Sequence, residues 1–401
     1  MSIASRTGPL AGVRVVELTR VWAGPYAGKL LAFLGAEVIK VESMNSLDAT
    51  RSYGHATVTN SPGFRAINPQ KLSAQIDVKT EEGRALLLQL LEKTDILIEN
   101  MRPGAVDRLG FGYEAVKAVN PSIVYVSMGM YGNDGPLAYQ TGYAPCFVAC
   151  GGLTYMVGYE GERPTGMNIR YADSMFGTAA AYGAVVALMH RRRTGQGQYI
   201  DVSAVEASSS MIGDVIMDYT LNGTVQACDG NRHAEMAPHG AYPCLGGEWI
   251  SIATPDDATW RTLAEVMGYR HMAEHPHFRT LADRKAHEVE LDRMVSSWTA
   301  SHDARELTSL LQKHAVPAAK SQNTIDLTSD DQLWTRGVYR MVSDAWEESQ
   351  PIVGPAWRMT EEPEITRGGP AIGEHTAYVL GDILGLSEAE QQRLAESGAT
   401  R

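Results

Sequence analysis

The chain is 401 residues long, carries a formal net charge of -12, and is 44% hydrophobic and 20% charged. That composition excludes disorder as the main state, and a length beyond the roughly 250–300 residues at which one core stops growing predicts two domains. Four cysteines are too few for a disulfide scaffold, the absence of a run of about 18 consecutive apolar residues predicts no membrane helix, and the acidic balance argues against a broad nucleic-acid surface.

The chain opens on MSIASRTGPLAG, which lacks the apolar stretch of a secretory signal, so a cytoplasmic location and reduced thiols are expected. Val13 to Leu18 (VRVVEL) reads as a strand, and the segment YAGKLLAFLGA after Pro25 as an amphipathic helix with Pro25 at its first position. Further strands are predicted at Glu37–Val41, Ile96–Ile98, Ile123–Met128 and Tyr199–Val202. Helices are predicted at Glu81–Lys93, Pro103–Leu109, Tyr113–Val119, Asp173–Arg193 and Glu206–Leu221. Residues 142–158 read as a Gly-rich, aromatic-bearing loop. Strand–helix alternation of this kind predicts an α/β fold with a mostly parallel sheet, whose ligands sit at the carboxyl ends of the strands. Near residue 225 the texture turns polar. A hairpin around Gly246-Gly247 and helices near 257–267, 287–299 and 303–313 follow, the pattern of a small α+β domain. The tail alternates again, with VYRMV and then helices at Gly373–Ile383 and Ser387–Glu396, and is expected to return to the first domain. The division expected is 1–222 for a large domain, 223–325 for a small one with flanking linkers, and 326–401 for the return.

Gly24 to Lys29 imitates a phosphate-binding loop but has one residue too few between its glycines, and Leu30 stands where a metal-binding hydroxyl belongs. No G-x-G-x-x-G follows a strand and no G-x-S-x-G is present. His233, Glu235 and His239 match no zinc spacing, and Cys146 and Cys150 lack a second pair, so no metal is expected and the thiols read as buried. Asp173 stands out in YADSMFG, just before a long helix. Helix capping explains an Asp there. The alternative is a carboxylate nucleophile beside helix amides, able to take up an acyl group. Lys40, Lys71, Arg102 and Arg108 fall at strand ends or the loops after them, where they would gather on one rim as a site for a phosphorylated cofactor.

Several segments, in order and over nearly the whole chain, resemble the family III CoA-transferases. These are LTRVWAGP (18–25), LGAEVIKVE (34–42), ENMRPGAVDRLG (99–110), Asp173-Ser174 with Gly177, and RRRTGQGQYIDVS (191–203). The resemblance implies a Rossmann-like large domain built from both chain ends, a smaller domain, and two chains threaded as an interlocked dimer. It implies that Asp173 attacks an acyl-CoA thioester, passing through an aspartyl anhydride and an aspartyl-CoA thioester. It places CoA against Val21, Trp22, Ala23, Asn100, Met101 and Arg108, with Lys71 and Arg102 nearby. Acyl-CoA is then a substrate, and no tightly bound cofactor is implied. The related α-methylacyl-CoA racemases carry a His where Tyr143 stands here, and a phenol with a pKa near 10 is a poor acid–base partner at neutral pH. Racemisation is therefore the alternative, as is a role as one subunit of a hetero-oligomeric transferase instead of a homodimer.

Trp22, Tyr143, Phe147, Tyr155 and Met156 lie in segments expected to line an acyl pocket, and Arg170, three before Asp173, is placed to meet a second carboxylate. Together they point to succinyl-CoA as donor and a substituted succinate as acceptor, with carnitine-like and mesaconate-like acceptors as alternatives. The segments YGNDGPLAYQTGYAPCF and PHGAYPCLGGEWISIA most resemble the benzylsuccinate CoA-transferase branch.

Overall fold

The computed structural model describes residues 6–52, 61–166, 170–345 and 349–401. The opening residues 1–5, read above for an export signal, lie outside them. The chain divides into two compact units, one of residues 1–154, 166–225 and 332–401, the other of residues 155–165 and 226–331.

In the large unit, among the described residues, six strands pair side by side: β1 (Arg14–Leu18), β2 (Glu37–Glu42), β3 (Leu72–Gln75), β4 (Ile96–Glu99), β5 (Val124–Gly129) and β6 (Gln198–Ser203). All pairings are parallel, in the order β3-β2-β1-β4-β5-β6. This is the Rossmann strand order, and it reverses between β1 and β4. Strand β3 was not expected. Only Leu72 and Ala74 are apolar in it, and its outer edge is satisfied from far along the chain: Gln75 N–H donates to Thr376 Oγ1 (2.9 Å) and His375 N–H to the Ser73 carbonyl (2.9 Å).

One sheet face carries Val16, Leu18, Ile39 and Leu97. It is covered by Leu86, Leu87, Leu90 and Leu91 of helix α2 (Glu81–Glu92) and by Val379, Leu380, Ile383 and Leu394 of the tail. The tail therefore contributes to the core of the large unit. Its expected helix at Gly373–Ile383 is a short helix, Thr376–Tyr378, running into a π-helical turn over Val379–Ile383. Helix α1 (Ala23–Phe33) begins two residues earlier than Pro25 would place it. The segment 142–158 is not a loop: Ala144–Cys150 forms helix α3 and Leu153–Met156 a 3-10 turn. Cys146 and Cys150 are exposed on α3 and are not buried thiols. Helix α4 runs from Tyr171 to Thr194 and packs on α1, β5 and β6 through its alanines and Gly177. By length and composition α4 is apolar enough to cross a membrane; its alanine-rich face packs within this unit, while Tyr182, Val186 and Met189 are exposed. The helix expected over Glu206–Leu221 breaks at Ser210–Ile212 into Ala204–Ser209 and Gly213–Asn222.

The small unit holds an antiparallel sheet of β7 (His239–Pro243), β8 (Trp249–Ala253) and β9 (Ala318–Lys320). Helices at Asp257–Val266, Leu281–Ala286, Glu288–Thr299 and Ala304–Lys313 enclose a core around Trp260, Leu263, Leu291, Val295 and Leu307. Residues 155–165 join this unit and not the large one: Gly230 N–H donates to the Gly158 carbonyl (2.9 Å), Cys228 Sγ to the Tyr155 carbonyl (3.1 Å), and Arg232 pairs with Glu160.

Candidate active site

Where strand order reverses, the connections leaving β1 and β4 run to opposite faces and leave a crevice at their carboxyl ends. The turn Thr19–Trp22 follows β1 and the pair Asn100-Met101 follows β4. The Asn100 amide brackets the turn, accepting from Arg20 N–H (2.8 Å) and donating to the Arg20 carbonyl (2.9 Å). Val21 sits in the left-handed region at φ 69°, a costly conformation for a β-branched residue and one held only where the surroundings enforce it. Its N–H donates to Asp48 Oδ1 (3.1 Å).

Beneath the turn lie four buried charges. Lys40 Nζ donates to the Thr19 carbonyl (2.7 Å) and pairs with Asp48 (3.0 Å) and Glu17 (3.5 Å). Lys71 Nζ donates to Glu17 (2.8 Å), the Pro25 carbonyl (2.7 Å) and Asn68 (3.0 Å). Burial pushes the Lys71 ammonium down to about 8, with Glu17 opposing. Burial acts the same way on Lys40, but Asp48 and Glu17 outweigh it and hold that ammonium above its ordinary value. Gly28 of α1 makes room for the pair, since a Cβ there would lie 1.9 Å from Glu17 Oε2.

Asp173 approaches from α4. Gly177, one turn later, lets α4 press onto the start of α1, where an added Cβ would meet the Ala23 carbonyl at 2.5 Å. This close crossing brings the first turn of α4 to the turn after β1. The Trp22 indole N–H donates to Ser174 Oγ (3.3 Å), which in turn donates to the Arg170 carbonyl (3.0 Å). The Arg170 guanidinium lies over the Trp22 ring, 4.4 Å from its centroid, a cation–π contact. Asp173 does not cap the helix. Arg170 holds the N-cap position, no side chain caps it, and Asp173 lies in the first turn. Its carboxylate takes no hydrogen bond or ion pair from any described residue. Partial burial pushes it up to about 6, against the lowering effect of Arg170. An unpartnered carboxylate among the free N–H groups of a helix start is poised to act as a nucleophile, with those amides able to stabilise negative charge developing nearby.

The structure brings Val21, Trp22, Ala23, Asn100, Met101, Arg170 and Asp173 to this crevice. Arg102 and Arg108 are exposed and have no ion-pair partner among the described residues. Lys40 and Lys71 do not belong to an anion-binding rim: both are at most 1% exposed and turned inward to Glu17 and Asp48. Phe147 is buried against Phe176, with ring centroids 6.1 Å apart, and serves the core of the large unit. Tyr143 is 67% exposed just ahead of α3. Sequence reading missed Arg20, Glu17 and Asp48. The one signal for them was Glu17 following the apolar pair Val15-Val16 in β1. A pocket at the carboxyl ends of β1, β2 and β4 is walled by Ile76, Val78, Met101 and Phe111, and Arg20 lies at it. The hydroxyls of Thr19 and Ser43, also in its lining, have no hydrogen-bond partner among the described residues. Among the described residues, no three His, Cys, Asp or Glu side chains gather as a metal site.

Comparison with known proteins meets this geometry. The model of "CoA-transferase family III" matches residues 10–376. The succinyl-CoA–D-citramalate CoA-transferase of Chloroflexus aurantiacus is 34% identical over 95% of this chain and 95% of its own. The alpha subunit of the succinyl-CoA–L-malate CoA-transferase of the same organism is 32% identical, over 96% of this chain and 91% of its own. Among solved structures, a CaiB/BaiF family protein from Brucella suis superposes with a TM-score of 0.87 at 30% identity, covering 94% of this chain and 100% of that one. The chain belongs to CoA-transferase family III and is an enzyme of that class.

Proposed function

We propose that this enzyme moves CoA from succinyl-CoA to a second dicarboxylic acid of the succinate type, with Asp173 as the covalent carrier. The observation that carries the reading is the Asp173 carboxylate: partly buried, without a partner among the described residues, raised to about 6, and next in sequence to the Ser174 hydroxyl that meets Trp22. Asp173 Oδ attacks the thioester carbonyl, the C–S bond breaks, and CoA thiolate leaves a mixed anhydride. The thiolate attacks the aspartyl carbonyl, so that succinate departs and aspartyl-CoA remains. The acceptor carboxylate then attacks that thioester, and the returning thiolate cleaves the second anhydride to give the new acyl-CoA and free Asp173. Thioester is exchanged for thioester, so no net proton or phosphate is consumed.

The pocket beside Arg20 and Met101 takes the nucleotide end of CoA, its apolar walls of Ile76, Val78 and Phe111 suiting a base. Exposed Arg102 and Arg108 supply charge for phosphates. Arg170, fixed on the Trp22 ring, reads the far carboxylate of donor and acceptor. Citramalate and malate, in the names of the two relatives above, are both substituted succinates. Benzylsuccinate is the bulkiest acceptor of that class we propose, with exposed Tyr143 as its aromatic neighbour. A second copy, or a related subunit, completes the enzyme. Tyr182, Val186 and Met189 on α4, and Met217, Tyr219 and Leu221 on the helix at 213–222, leave a large apolar surface uncovered in one chain.

The test is mass spectrometry of the purified chain with succinyl-CoA and malate, citramalate, glutarate or benzylsuccinate in turn. A CoA adduct on the Asp173 peptide and new acyl-CoA with dicarboxylates are expected. Exchange of the α-proton without acyl exchange would make the enzyme a racemase, and activity only after adding a second chain would make it a subunit.

A further inference from the structure

The buried charges around β1 do more than balance one another. Removing two lysines and two carboxylates from water costs about as much as their mutual attraction returns, so such a quartet is a poor stabiliser compared with packed aliphatic side chains. Aliphatic side chains, however, cannot hydrogen-bond a backbone. Here three backbone groups from Thr19 to Pro25 are each held by a different member: the Thr19 carbonyl by Lys40 (2.7 Å), Val21 N–H by Asp48 Oδ1 (3.1 Å), and the Pro25 carbonyl by Lys71 (2.7 Å). Glu17 joins the two lysines from near the carboxyl end of β1, at 3.5 Å from Lys40 and 2.8 Å from Lys71. The segment so held includes the left-handed Val21 and delivers the Trp22 indole to Ser174. All four side chains are at most 1% exposed; Glu17, Lys40 and Lys71 line no part of the pocket, and Asp48 borders it with its carboxylate turned to the backbone of the turn and to Lys40.

We propose that Glu17, Lys40, Asp48 and Lys71 are positioning residues for CoA transfer: through the backbone of Thr19–Pro25 they fix Trp22 against the first turn of α4, and so set the geometry in which Asp173 meets the thioester. This rests on the transferase reading above, and the two fail separately. A wild-type chain that forms no aspartyl-CoA sinks the transferase reading. A wild-type chain that does so, beside quartet variants that match it, sinks only this one.

The test compares Glu17→Gln/Lys71→Met, which removes a charge pair while nearly keeping volume, with Asp95→Asn/Arg191→Met, which removes the Asp95–Arg191 ion pair of the same unit. Asp95 precedes β4 at its amino end, away from the crevice. Both doubles are expected to lower the unfolding midpoint. Only the first is expected to lower kcat/KM for succinyl-CoA, by about ten-fold or more and with a fall in kcat as well as a rise in KM, because both the binding turn and the approach of Asp173 to the thioester are loosened. A second pair isolates the backbone bond. Asp48→Asn keeps an Oδ1 acceptor for Val21 N–H and is expected to retain most of the activity, whereas Asp48→Ala is expected to behave like the first double. Equal kinetics for the two doubles, or equal loss in Asp48→Asn and Asp48→Ala, would overturn the proposal. If the first double fails to fold, the Asp48 pair alone decides it.

Discussion

In the small unit, polar side chains stand where helix ends require them. Asp256 accepts from Thr259 N–H, Asp303 from Arg305 and Glu306 N–H, and both Thr280 with Asp283 and Asn323 with Asp326 form reciprocal capping boxes. Around the turn after β1 the same rules are broken together. Lysines are sealed inside the sheet, a valine occupies the left-handed region, and the acid at the head of α4 leaves the cap position to Arg170. Local preference accounts for the caps of the first region, although the small unit also buries Arg284 and holds Ala315 in the left-handed region of backbone space. The second region is held in place by the rest of the large unit, and it is where we place the chemistry. Violations of local rules clustered at one place are a stronger pointer to a site than any single residue.

The largest effect expected on breaking that contrast is at Asp173. Asp173→Asn removes the attacking oxygen's charge, and CoA transfer is expected to fall by about a thousand-fold or more. The same change is expected to stabilise the fold. Burial raises the Asp173 carboxyl from 3.8 to about 6, so above pH 6 the folded chain bears the cost of an ionised, partly desolvated group. As pH falls from about 6 towards 3.8 the folded chain takes up a proton before the unfolded one does, and stability rises. Asp173→Asn is therefore expected to gain roughly 1–2 kcal/mol at pH 7.5, after allowance for solvent screening, and nothing near pH 3.5. Denaturant unfolding at the two pH values checks it. A loss of stability at pH 7.5 would mean that the carboxylate is a structural cap after all.

The same ionisation sets the next effect. Only the carboxylate attacks, so kcat/KM is expected to drop about ten-fold per pH unit below the free enzyme's pKa near 6. A pH profile taken with an acceptor whose own carboxyls titrate well below this value separates the enzyme's ionisation from the substrate's. A flat profile down to pH 5 would leave Asp173 without its raised pKa.

How far the sequence reveals this site depends on distance along the chain. Strands β1, β4 and β5 are short apolar runs and β2 and β6 mix apolar with polar residues, all rich enough in Val, Ile and Tyr to be read locally, and Asp173 with its long helix stands out in the same way. Strand β3 is invisible because what makes Leu72–Gln75 a strand is pairing with β2 and hydrogen bonding from residues 375 and 376. Lys40 and Lys71 look like surface charges because their partners, Glu17 and Asp48, lie in other segments, and nothing local says that they point inward. Phe147 reads as a pocket aromatic until Phe176 is found beside it. Sequence thus identifies the residues of the crevice better than the roles they take.

A smaller effect sharpens the comparison from the side of the turn. Val21→Gly relieves the left-handed strain but frees the unfolded chain, two opposing terms of about 1 kcal/mol each. Stability is expected to change little, while the looser turn raises KM for succinyl-CoA a few-fold. An unchanged KM would show that the quartet and Asn100 fix the turn without help from the stiffness of Val21.

The smallest effect belongs to the small unit and should be its mirror image. Thr280 Oγ1 accepts from Asp283 N–H (3.2 Å) while Asp283 Oδ2 accepts from Thr280 N–H (3.2 Å) and Oγ1 (2.7 Å). Thr280→Ala removes the hydroxyl from this box and is expected to cost about 1 kcal/mol in denaturant unfolding. No side chain of the crevice is altered, so kcat and KM for succinyl-CoA should match wild type. Val21→Gly is expected to change the kinetics with little change in stability, and Thr280→Ala the stability with no change in kinetics. If both variants instead shifted both quantities together, the distinction drawn between a region shaped by local preference and a region shaped by the reaction would fail for this chain.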